Sequence, residues 1–222
     1  MDILWQDDHL LVLNKPAGIA SQSSLNHPDD TMENAMFHHL GCPADYVYRP
    51  LNRLDKGTSG LMVVAKTAHA QHKLQQLLHT EHFVREYLAI VVGEPPQPKG
   101  TVDAPIGKED AASVRRIITP AGKPSVTHYE VVSRHGSLTL LRLVLQTGRT
   151  HQIRVHMASL GCPVYGDFLY GREEESLPGR FALHSASIRL THPITGETIR
   201  VQAPLPDILQ SLLQKDALTE KE

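Results

Sequence analysis

The sequence predicts an α+β fold with a mostly antiparallel, mixed central sheet flanked by helices. Short apolar runs separated by Gly- or Pro-containing turns recur along most of the 222 residues, which is typical of strands. Helical periodicity occurs in four segments that do not alternate strictly with the strands, as the helices of βαβ units would. Hydrophobic residues make up 41% of the chain, which is enough to form a packed core.

The first predicted elements are a hairpin and a helix. Two apolar runs, Ile3–Trp5 and Leu10–Leu13, flank the polar turn Gln6–His9 and predict paired strands. After a polar loop, Asp30 and Glu33 have the spacing of a helix-capping signal. The apolar face of the helix that they predict consists of Met32, Ala35, Met36 and Leu40.

The remaining elements follow from the same two periodicities. A buried strand is expected over Leu61–Ala65 and a second helix over Ala68–Thr80. A third helix is expected to start after Thr150, its N-cap, and to end at Gly161, and a last one covers about Pro206–Leu213. The other expected strands are Phe83–Val92, Val114–Ile118, Val126–Val132, Leu138–Leu145, Ala182–Leu190 and Thr198–Ala203.

We expect one domain over residues 1–218, followed by a frayed, charged tail at residues 219–222. The net charge is −2 with neutral histidines, so nucleic acid would have to be bound by a local basic patch. No apolar run approaches the roughly 18 residues that span a bilayer, and the acidic N-terminus does not resemble a secretory signal. The chain is therefore expected to be cytoplasmic, with Cys42 and Cys162 both reduced.

A single carboxylate occupies a basic, glycine-rich loop before the strand Leu61–Ala65. Asp55 lies between Arg53 and Lys56, and a Gly-Thr-Ser-Gly turn follows. An aspartate in a turn usually bonds its own main chain. A carboxylate held beside a buried strand, however, requires a cationic partner. On these residues alone, a structural and a functional Asp55 are equally consistent with the sequence.

Two further segments carry candidate functional side chains. Strand alternation places Arg85 and Tyr87 on one face of Phe83–Val92, where a tyrosine usually serves as packing. A helix N-terminus with Arg149 beside it and His151 in its first turn suits an anion such as a phosphate.

The third helix is also expected to have one core face. Its pattern directs Ile153, Met157 and Leu160 towards the core and Arg154 elsewhere. Its two histidines are five residues apart, which does not suit two ligands on one helical face, and no metal site is expected.

Together these motifs resemble those of the RluA-type RNA pseudouridine synthases. Arg53–Leu61 matches that family's Arg-Leu-Asp-x-x-Thr-Ser-Gly-Leu motif, and Arg85–Tyr87 matches its strand tyrosine preceded by a basic residue. Gly148–His156 matches its Gly-Arg-Thr-His-Gln-Ile-Arg-Val-His motif at every position. The likeness extends from Asn14–Gly18 to Ala203–Pro206 and so covers nearly the whole chain.

Two features depart from the family pattern. The family usually has a histidine before Arg-Leu-Asp, where this chain has Asn52. Many members also carry an N-terminal RNA-binding domain of the S4 type. No such domain is expected here, so RNA targeting would come from the catalytic domain or from the shape of the RNA.

The resemblance implies a pseudouridine synthase fold with an active-site cleft across the sheet. It implies an enzyme that frees a uridine from its ribose at N1, turns the base and rejoins it through C5, with no cofactor or metal. Asp55 would attack C1′ or take the 2′ proton, Arg154 would pair with Asp55, and Tyr87 would stack against the base. The substrate would be a structured ribosomal or transfer RNA, and we expect the protein to be a monomer.

The resemblance also indicates how RNA would be held. The target base must leave its stack, at a cost of a few kcal/mol, and Arg53 would fill the vacated place. The residues expected to contact the substrate or RNA are Arg53, Lys56, Thr58, Arg85, Arg149, His151 and Gln152. A wider basic patch is expected from Lys15, Lys56, Lys66, Arg85, Arg115, Arg116 and Arg149.

Two other functions fit part of the sequence. A non-catalytic RNA-binding module would keep the fold and bind RNA without forming product, although the intact Asp55, Tyr87 and Arg154 argue against it. A nucleoside hydrolase would be expected to show a second placed carboxylate or a metal cluster, and the sequence predicts neither.

Overall fold

The structure, a computed structural model, describes residues 1–219. Across those residues it confirms the α+β class, with a mostly antiparallel sheet and four helices. The chain divides into two compact units. Unit 1 comprises Met1–Arg85 and Ser185–Ala203, and unit 2 comprises Glu86–His184 and the segment that starts at Pro204.

The elements have the following bounds in chain order. The strands are β1 (Asp2–Gln6), β2 (Leu10–Lys15), β3 (Ser59–Ala65), β4 (Phe83–Val92), β5 (Lys99–Asp103), β6 (Ile106–Lys108), β7 (Arg116–Ile118), β8 (Val126–His135), β9 (Leu138–Leu145), β10 (Leu183–Thr191) and β11 (Thr198–Gln202). The helices are α1 (Met32–His39), α2 (Ala68–Leu77), α3 (Gln152–Ser159) and α4 (Asp207–Thr219).

Unit 1 contains the strand order β1-β2-β3-β10, and β11 pairs with β10. β2 and β3 pair antiparallel from Leu10–Ala65 to Lys15–Gly60, and every residue of β3 is buried. Their apolar side chains pack with those of α2, β10 and β11 in one core cluster. The loop that contains Asp55 therefore leads directly into β3, a buried strand that pairs with β2 from Gly60 to Ala65.

Unit 2 contains the antiparallel strand order β4-β9-β8-β5 and a separate hairpin of β6 and β7. A bulge between Val131 and Ser133 interrupts the pairing of β8 with β9. α3 lies against β7 and β8, and α4 lies against β8 and β9. α3 carries Arg154, so the position of that side chain depends on this unit.

Most predicted strands are confirmed, with Phe83–Val92 and Leu138–Leu145 at their predicted bounds. The strand predicted to start at Val114 begins only at Arg116, because Ser113–Arg115 belongs to the loop of the β6–β7 hairpin. β5 and β6 were not predicted. β5 has a single buried residue, Val102, so its composition lacks the apolar alternation typical of a strand.

The helix ends differ from the predictions. α1 is capped by Thr31 rather than Asp30, because the Thr31 hydroxyl and the Asn34 side chain form a reciprocal capping box. α2 ends at Leu77, before the predicted Thr80. α4 starts at Asp207 and continues to Thr219, beyond the predicted Leu213. Residues 220–222 of the predicted tail lie outside the described residues.

Two smaller expectations concern the cysteines and the membrane. Cys42 is exposed and Cys162 is buried, and both are free thiols, as predicted. Burial raises the pKa of the Cys162 thiol to about 11. Within residues 1–219, no helix is long and apolar enough to cross a bilayer.

Candidate active site

The loop that carries Asp55 is joined to β3 by the side chain of Asn52. Asn52 is buried; its Nδ2 donates to the Leu61 carbonyl at 3.1 Å, and its Oδ1 accepts from the Val63 amide at 2.8 Å. The side-chain amide thereby pairs with the strand as a further stretch of backbone would. The residue that departs from the family's usual histidine thus fixes the start of the loop.

Hydrogen bonds hold the main chain of Leu54, before Asp55, and of Asp55 itself. The Ser21 hydroxyl donates to the Leu54 carbonyl at 2.6 Å and accepts from the Leu54 amide at 3.0 Å. The Thr58 amide donates to the Asp55 carbonyl at 3.0 Å, which closes a turn around residues 55–58. Asp55 itself is half-buried. The fixed main chain therefore limits the directions in which this carboxylate can point.

Lys15 lies beneath the loop rather than on the surface. Its side chain is fully buried, and its Nζ donates to the carbonyls of Pro16 and Ile19, both at 2.8 Å, and of Lys56 at 3.3 Å. The predicted place of Lys15 in a surface basic patch is therefore wrong, because its ammonium serves buried carbonyl oxygens. This role could not be read from the sequence, because a lysine at the end of an apolar strand is usually solvated.

Two exposed cations flank Asp55 and contact the polar loop at residues 22–27. Arg53 Nη1 donates to Gln22 Oε1 at 3.4 Å, and Lys56 Nζ lies 3.2 Å from His27 Nε2. His27 in turn lies 2.9 Å from a carboxylate oxygen of Asp30. These side chains remain accessible, so the predicted RNA contacts of Arg53 and Lys56 are compatible with their positions.

β4 shows the predicted alternation up to Ala89. Arg85 and Tyr87 are buried, with 6% and 5% exposure, while Val84 and Glu86 are partly exposed. Arg85 Nη2 lies 3.5 Å from His79 Nδ1, and its guanidinium lies 6.0 Å from the Phe83 ring centroid. The ring of Tyr87 is thus held in a buried position on β4, where Tyr87 lies opposite Leu143 of β9.

The start of α3 differs from the prediction. His151, not Thr150, is the N-cap, and it has a left-handed backbone with φ of 60° and no side-chain capping bond. The first turn is instead held by Gln152, whose Oε1 accepts from the Arg149 amide at 3.0 Å. Gln152 Nε2 donates to the Val126 carbonyl and the Thr127 hydroxyl, both at 3.0 Å. Sequence patterns do not reveal this arrangement, because the partner strand is distant along the chain.

Arg154 is buried, although the helical pattern placed it away from the core face. All residues from Gln152 to Met157 are buried, so the first six residues of α3 are enclosed on every side, whereas Ser159 at its end is exposed. The Arg154 guanidinium forms a two-pronged ion pair with the fully buried Asp167, with Nε–Oδ2 at 2.6 Å and Nη2–Oδ1 at 2.8 Å. Sequence reasoning missed Asp167, and its one indication is a lone acid in an otherwise apolar and aromatic segment.

The remaining predicted residues have mixed surroundings. Arg149 is partly exposed and its Nε donates to the Pro124 carbonyl at 3.2 Å. Thr58 is buried, with 2% exposure. His151 Nδ1 lies 2.8 Å from the Tyr170 hydroxyl. The roles assigned to these residues, and the pairing of Arg154 with Asp55, remain predictions.

The chemical capacity of these residues is that of acid–base and ionic groups. Among residues 1–219, no group of three or more His, Cys, Asp or Glu side chains has an arrangement that could hold a metal ion. The carboxylate of Asp55 can accept a proton, and the phenol of Tyr87 offers a ring face. The guanidinium of Arg154 can stabilise negative charge.

Comparison with known sequences gives consistent results. A sequence model of the family described as RNA pseudouridylate synthase matches residues 9–159. The chain is 40% identical over 215 residues to the uncharacterized RNA pseudouridine synthase YjbO of Bacillus subtilis, covering 96% of this chain and 76% of that protein. It is 40% identical over 233 residues to the ribosomal large subunit pseudouridine synthase D of Vibrio parahaemolyticus, covering 97% and 71%.

Solved structures show the same relationship. Human RNA pseudouridylate synthase domain containing 4 superimposes with a TM-score of 0.77 at 27% identity, covering 98% of this chain and 93% of that one. Human RNA pseudouridylate synthase domain containing 1 gives a TM-score of 0.73 at 26% identity, covering 97% and 94%. The extent of these matches confirms the RluA-type resemblance, and the chain belongs to the RNA pseudouridylate synthase family, whose members are enzymes that isomerise uridine in RNA.

Proposed function

We propose that this protein converts specific uridines of ribosomal RNA to pseudouridine, with Asp55 as the catalytic carboxylate. Ribosomal RNA is favoured because similar proteins are named ribosomal large subunit pseudouridine synthase D, at 40% and 41% identity. The observation that supports Asp55 is its place in the Arg53–Leu61 motif, within a loop held at Leu54 by Ser21 and at Asp55 by Thr58.

The reaction explains why one carboxylate is sufficient. Breaking the bond between N1 and C1′ leaves the electron pair on the base and positive charge on the sugar, which a nearby carboxylate stabilises or attacks. The base then turns and forms the C5–C1′ bond, and the proton on C5 must leave. Asp55 either attacks C1′, forming an ester bond that breaks when C5 attacks C1′, or takes the 2′ proton and returns it when the C5–C1′ bond forms. In both routes the C5 proton leaves to a base and N1 of the product takes up a proton. Both routes need a carboxylate oxygen directed at the sugar, and a fixed loop main chain favours such a direction.

Tyr87 and Arg154 have supporting roles in this proposal. Tyr87 is held on β4 with 5% exposure, which suits a rigid ring for stacking the base. Its hydroxyl is a candidate for removing the C5 proton, directly or through a water molecule. Arg154 supplies positive charge to the reacting carboxylate, and its guanidinium is kept in one orientation by Asp167.

The target uridine is proposed to leave its stack before it reacts. Extrusion of a base costs a few kcal/mol, which contacts to the flanking RNA must offset. Arg53 is exposed on the loop that carries Asp55, and its planar guanidinium can replace the missing stacking partner.

The RNA-binding residues fall into two groups. Arg53, Lys56, Arg149 and His151 are at least partly exposed and are proposed to contact RNA directly. Thr58, Arg85 and Gln152 are buried, so we propose that they act by holding neighbouring residues. Gln152, for example, binds the Arg149 amide through its Oε1 at 3.0 Å.

The decisive experiment compares Asp55→Asn with Asp45→Asn, a matched change at an exposed acid of unit 1. Each variant is incubated with unmodified large-subunit ribosomal RNA, and pseudouridine is mapped by chemical labelling and primer extension. We expect no product from Asp55→Asn and normal product from Asp45→Asn, with unchanged thermal unfolding and RNA affinity in both.

Other outcomes are equally informative. Product formed by Asp55→Asn would contradict the role of Asp55. RNA affinity without product in the wild-type protein would support a binding module instead. Product only with transfer RNA, run in parallel, would overturn the choice of ribosomal RNA. Sedimentation of the same preparations, with and without RNA, checks the expected monomer.

A further inference from the structure

The segment Asp167–Tyr170 surrounds Arg154 on several sides. It follows α3 in unit 2, and its carboxylate and two aromatic rings all lie close to the guanidinium. The segment lies outside the three motif matches described above, Arg53–Leu61, Arg85–Tyr87 and Gly148–His156. Its contacts raise the question of whether it merely stabilises unit 2 or sets the geometry of Arg154.

The carboxylate of Asp167 is held by main-chain amides as well as by Arg154. Its Oδ1 accepts from the main-chain amides of Leu169 at 3.0 Å and Tyr170 at 3.2 Å. The Asp167 carbonyl also accepts from the Gly171 amide at 2.8 Å. A carboxylate held by its own turn in this way cannot rotate to follow a moving arginine. The arginine must therefore adopt the orientation that the carboxylate imposes.

The two bonds from Arg154 define the plane of its guanidinium. They use the edge formed by Nε and Nη2, at 2.6 and 2.8 Å, which directs Nη1 away from Asp167. Paired parallel bonds of this kind fix orientation as well as distance, which a single bond or a lysine could not do.

Aromatic rings restrict the same group from other directions. The Arg154 guanidinium carbon lies 4.2 Å from the Phe181 ring centroid, 5.0 Å from that of Tyr170 and 5.9 Å from that of Phe168. Cations are attracted to ring faces at such distances. The guanidinium is therefore restrained by one carboxylate and three rings.

Tyr170 also connects Arg154 and its partners to the hairpin of β6 and β7, called the basic hairpin because it carries Lys108, Arg115 and Arg116. Its hydroxyl accepts from the Arg116 amide at 2.8 Å and lies 2.8 Å from His151 Nδ1. The Arg115 guanidinium lies 5.7 Å from its ring centroid. One tyrosine thus joins β7, the N-cap of α3 and Arg154.

We propose that Asp167 and Tyr170 are positioning residues, which set the orientation of Arg154 for the reaction and hold the basic hairpin at a fixed place beside it. The inference rests on the proposed function, because it requires Arg154 to take part in uridine isomerisation. Asp167 acts through charge and paired hydrogen bonds. Tyr170 acts through its ring face on Arg154 and through its hydroxyl on β7 and His151.

The alternative is a purely structural ion pair. A buried pair often contributes little net stability, yet breaking it leaves an uncompensated charge that lowers stability. A structural role therefore predicts lower thermal stability with unchanged turnover per folded molecule. A positioning role predicts a loss of turnover that depends on the presence of Arg154, and this difference defines the test.

The test measures single-turnover rates and apparent affinity on an unmodified large-subunit ribosomal RNA transcript. Asp167→Asn retains the shape of the side chain but can accept only one of the two bonds. We expect its rate to fall about 100-fold, since a displacement of about 1 Å can cost that factor, while its apparent affinity for the RNA changes less than about threefold. Arg154→Lys should lose a similar factor, and the double variant should be no slower than Arg154→Lys alone.

Tyr170→Phe separates the two functions of the tyrosine. It keeps the ring on Arg154 and removes the hydroxyl that binds Arg116 and His151. We expect the single-turnover rate to stay within about twofold while the apparent affinity for RNA falls about five- to tenfold, since two hydrogen bonds are lost and each corresponds to roughly a two- to tenfold change. Glu130→Gln is the matched control, because it breaks the exposed Glu130–Arg142 ion pair of the same unit and should change neither parameter.

The outcomes separate this inference from the proposed function. If Asp55→Asn is inactive but Asp167→Asn keeps the wild-type rate, the positioning role is wrong. It is also wrong if the rate of the double variant falls by the product of the factors lost in Asp167→Asn and Arg154→Lys. If wild-type protein forms no pseudouridine, the proposed function itself fails. If Asp167→Asn does not fold, Asp167→Glu provides the test, since it keeps the charge but shifts the fork by one methylene. A folded, fully active Asp167→Glu would then overturn the inference.

Discussion

Asp55 in unit 1 and Arg154 in unit 2 are held in different ways. Asp55 occupies a loop whose main chain is anchored by three buried polar side chains, those of Lys15, Ser21 and Asn52. Arg154 lies on a helix, and its side chain is held at its charged end by Asp167 and by aromatic rings. A short side chain is placed by fixing its backbone, whereas a long one must be fixed at its tip.

This comparison has a measurable consequence. Changes that loosen the anchors of the Asp55 loop should lower stability and turnover together, because they free main-chain groups. Changes around the tip of Arg154 should affect turnover more than stability.

The largest effect is expected at Gly60 in β3. Its φ of 107° is unfavourable for other residues, and an added Cβ would lie 2.2 Å from the Ser185 carbonyl oxygen. Gly60→Ala should lower the free energy of unfolding by about 3 kcal/mol or more, because the backbone of β3 or of Ser185 must shift. Gly196→Ala is the control, since its φ is 77° and nothing lies within 4 Å of the added Cβ. It should cost about 1 kcal/mol in chemical denaturation. Equal losses would show that steric contact at Gly60 is unimportant.

Lys15→Met should produce the next largest effect. The variant keeps a long apolar stem but leaves the carbonyls of Pro16 and Ile19 without this donor, at about 1–3 kcal/mol for each unsatisfied group. We expect a loss of about 3 kcal/mol in the free energy of unfolding, together with reduced pseudouridine formation at temperatures where the protein is folded. Lys73→Met, at an exposed position of α2, should leave both unchanged. Full activity of a destabilised Lys15→Met would separate loop anchoring from catalysis and contradict the comparison.

Ser21→Ala tests a single anchor beside Asp55. The hydroxyl makes two bonds to Leu54, and its loss should lower the free energy of unfolding by about 1–2 kcal/mol and reduce turnover. Ser24→Ala removes an exposed hydroxyl of the same polar loop and should stay within about 0.5 kcal/mol of wild type. If both variants behave alike in denaturation and in turnover, the Ser21–Leu54 contact does not position the loop.

The smallest effect is a pH dependence that arises in α3. Burial lowers the pKa of His156, and this effect outweighs the hydrogen bond to the Ala104 carbonyl and the charge of Asp103, which both act to raise the pKa. The unfolded chain therefore takes up the proton first, so this contribution is present above about pH 6.5 and is lost as the pH falls towards the lower pKa of the folded state. The slope should not exceed about 1.4 kcal/mol per pH unit.

Urea denaturation between pH 7.5 and pH 5 measures this slope. His156→Gln should flatten it, whereas His39→Gln, at an exposed position of α1, should not. An unchanged slope in His156→Gln would assign the pH dependence to other groups.

Much of the fold was predictable because it is encoded locally. The period-two pattern of Phe83–Val92 predicts its bounds and the alternation of its side chains between two faces. The structure confirms the bounds, and it confirms the alternation up to Ala89. The helix caps were less predictable. Thr31 and Asp30 are both good capping residues, and only the reciprocal bonds between Thr31 and Asn34 distinguish them.

The candidate catalytic groups were proposed from the sequence alone, because the motifs around Asp55, Tyr87 and Arg154 are contiguous stretches of chain. Which residues hold those groups was decided by the tertiary structure. Asp167 meets Arg154 from 13 positions away, and Ser21 meets Leu54 from 33. The physical reason is that a buried polar group must find its partner in space, and the folded chain can supply that partner from any distance along the sequence.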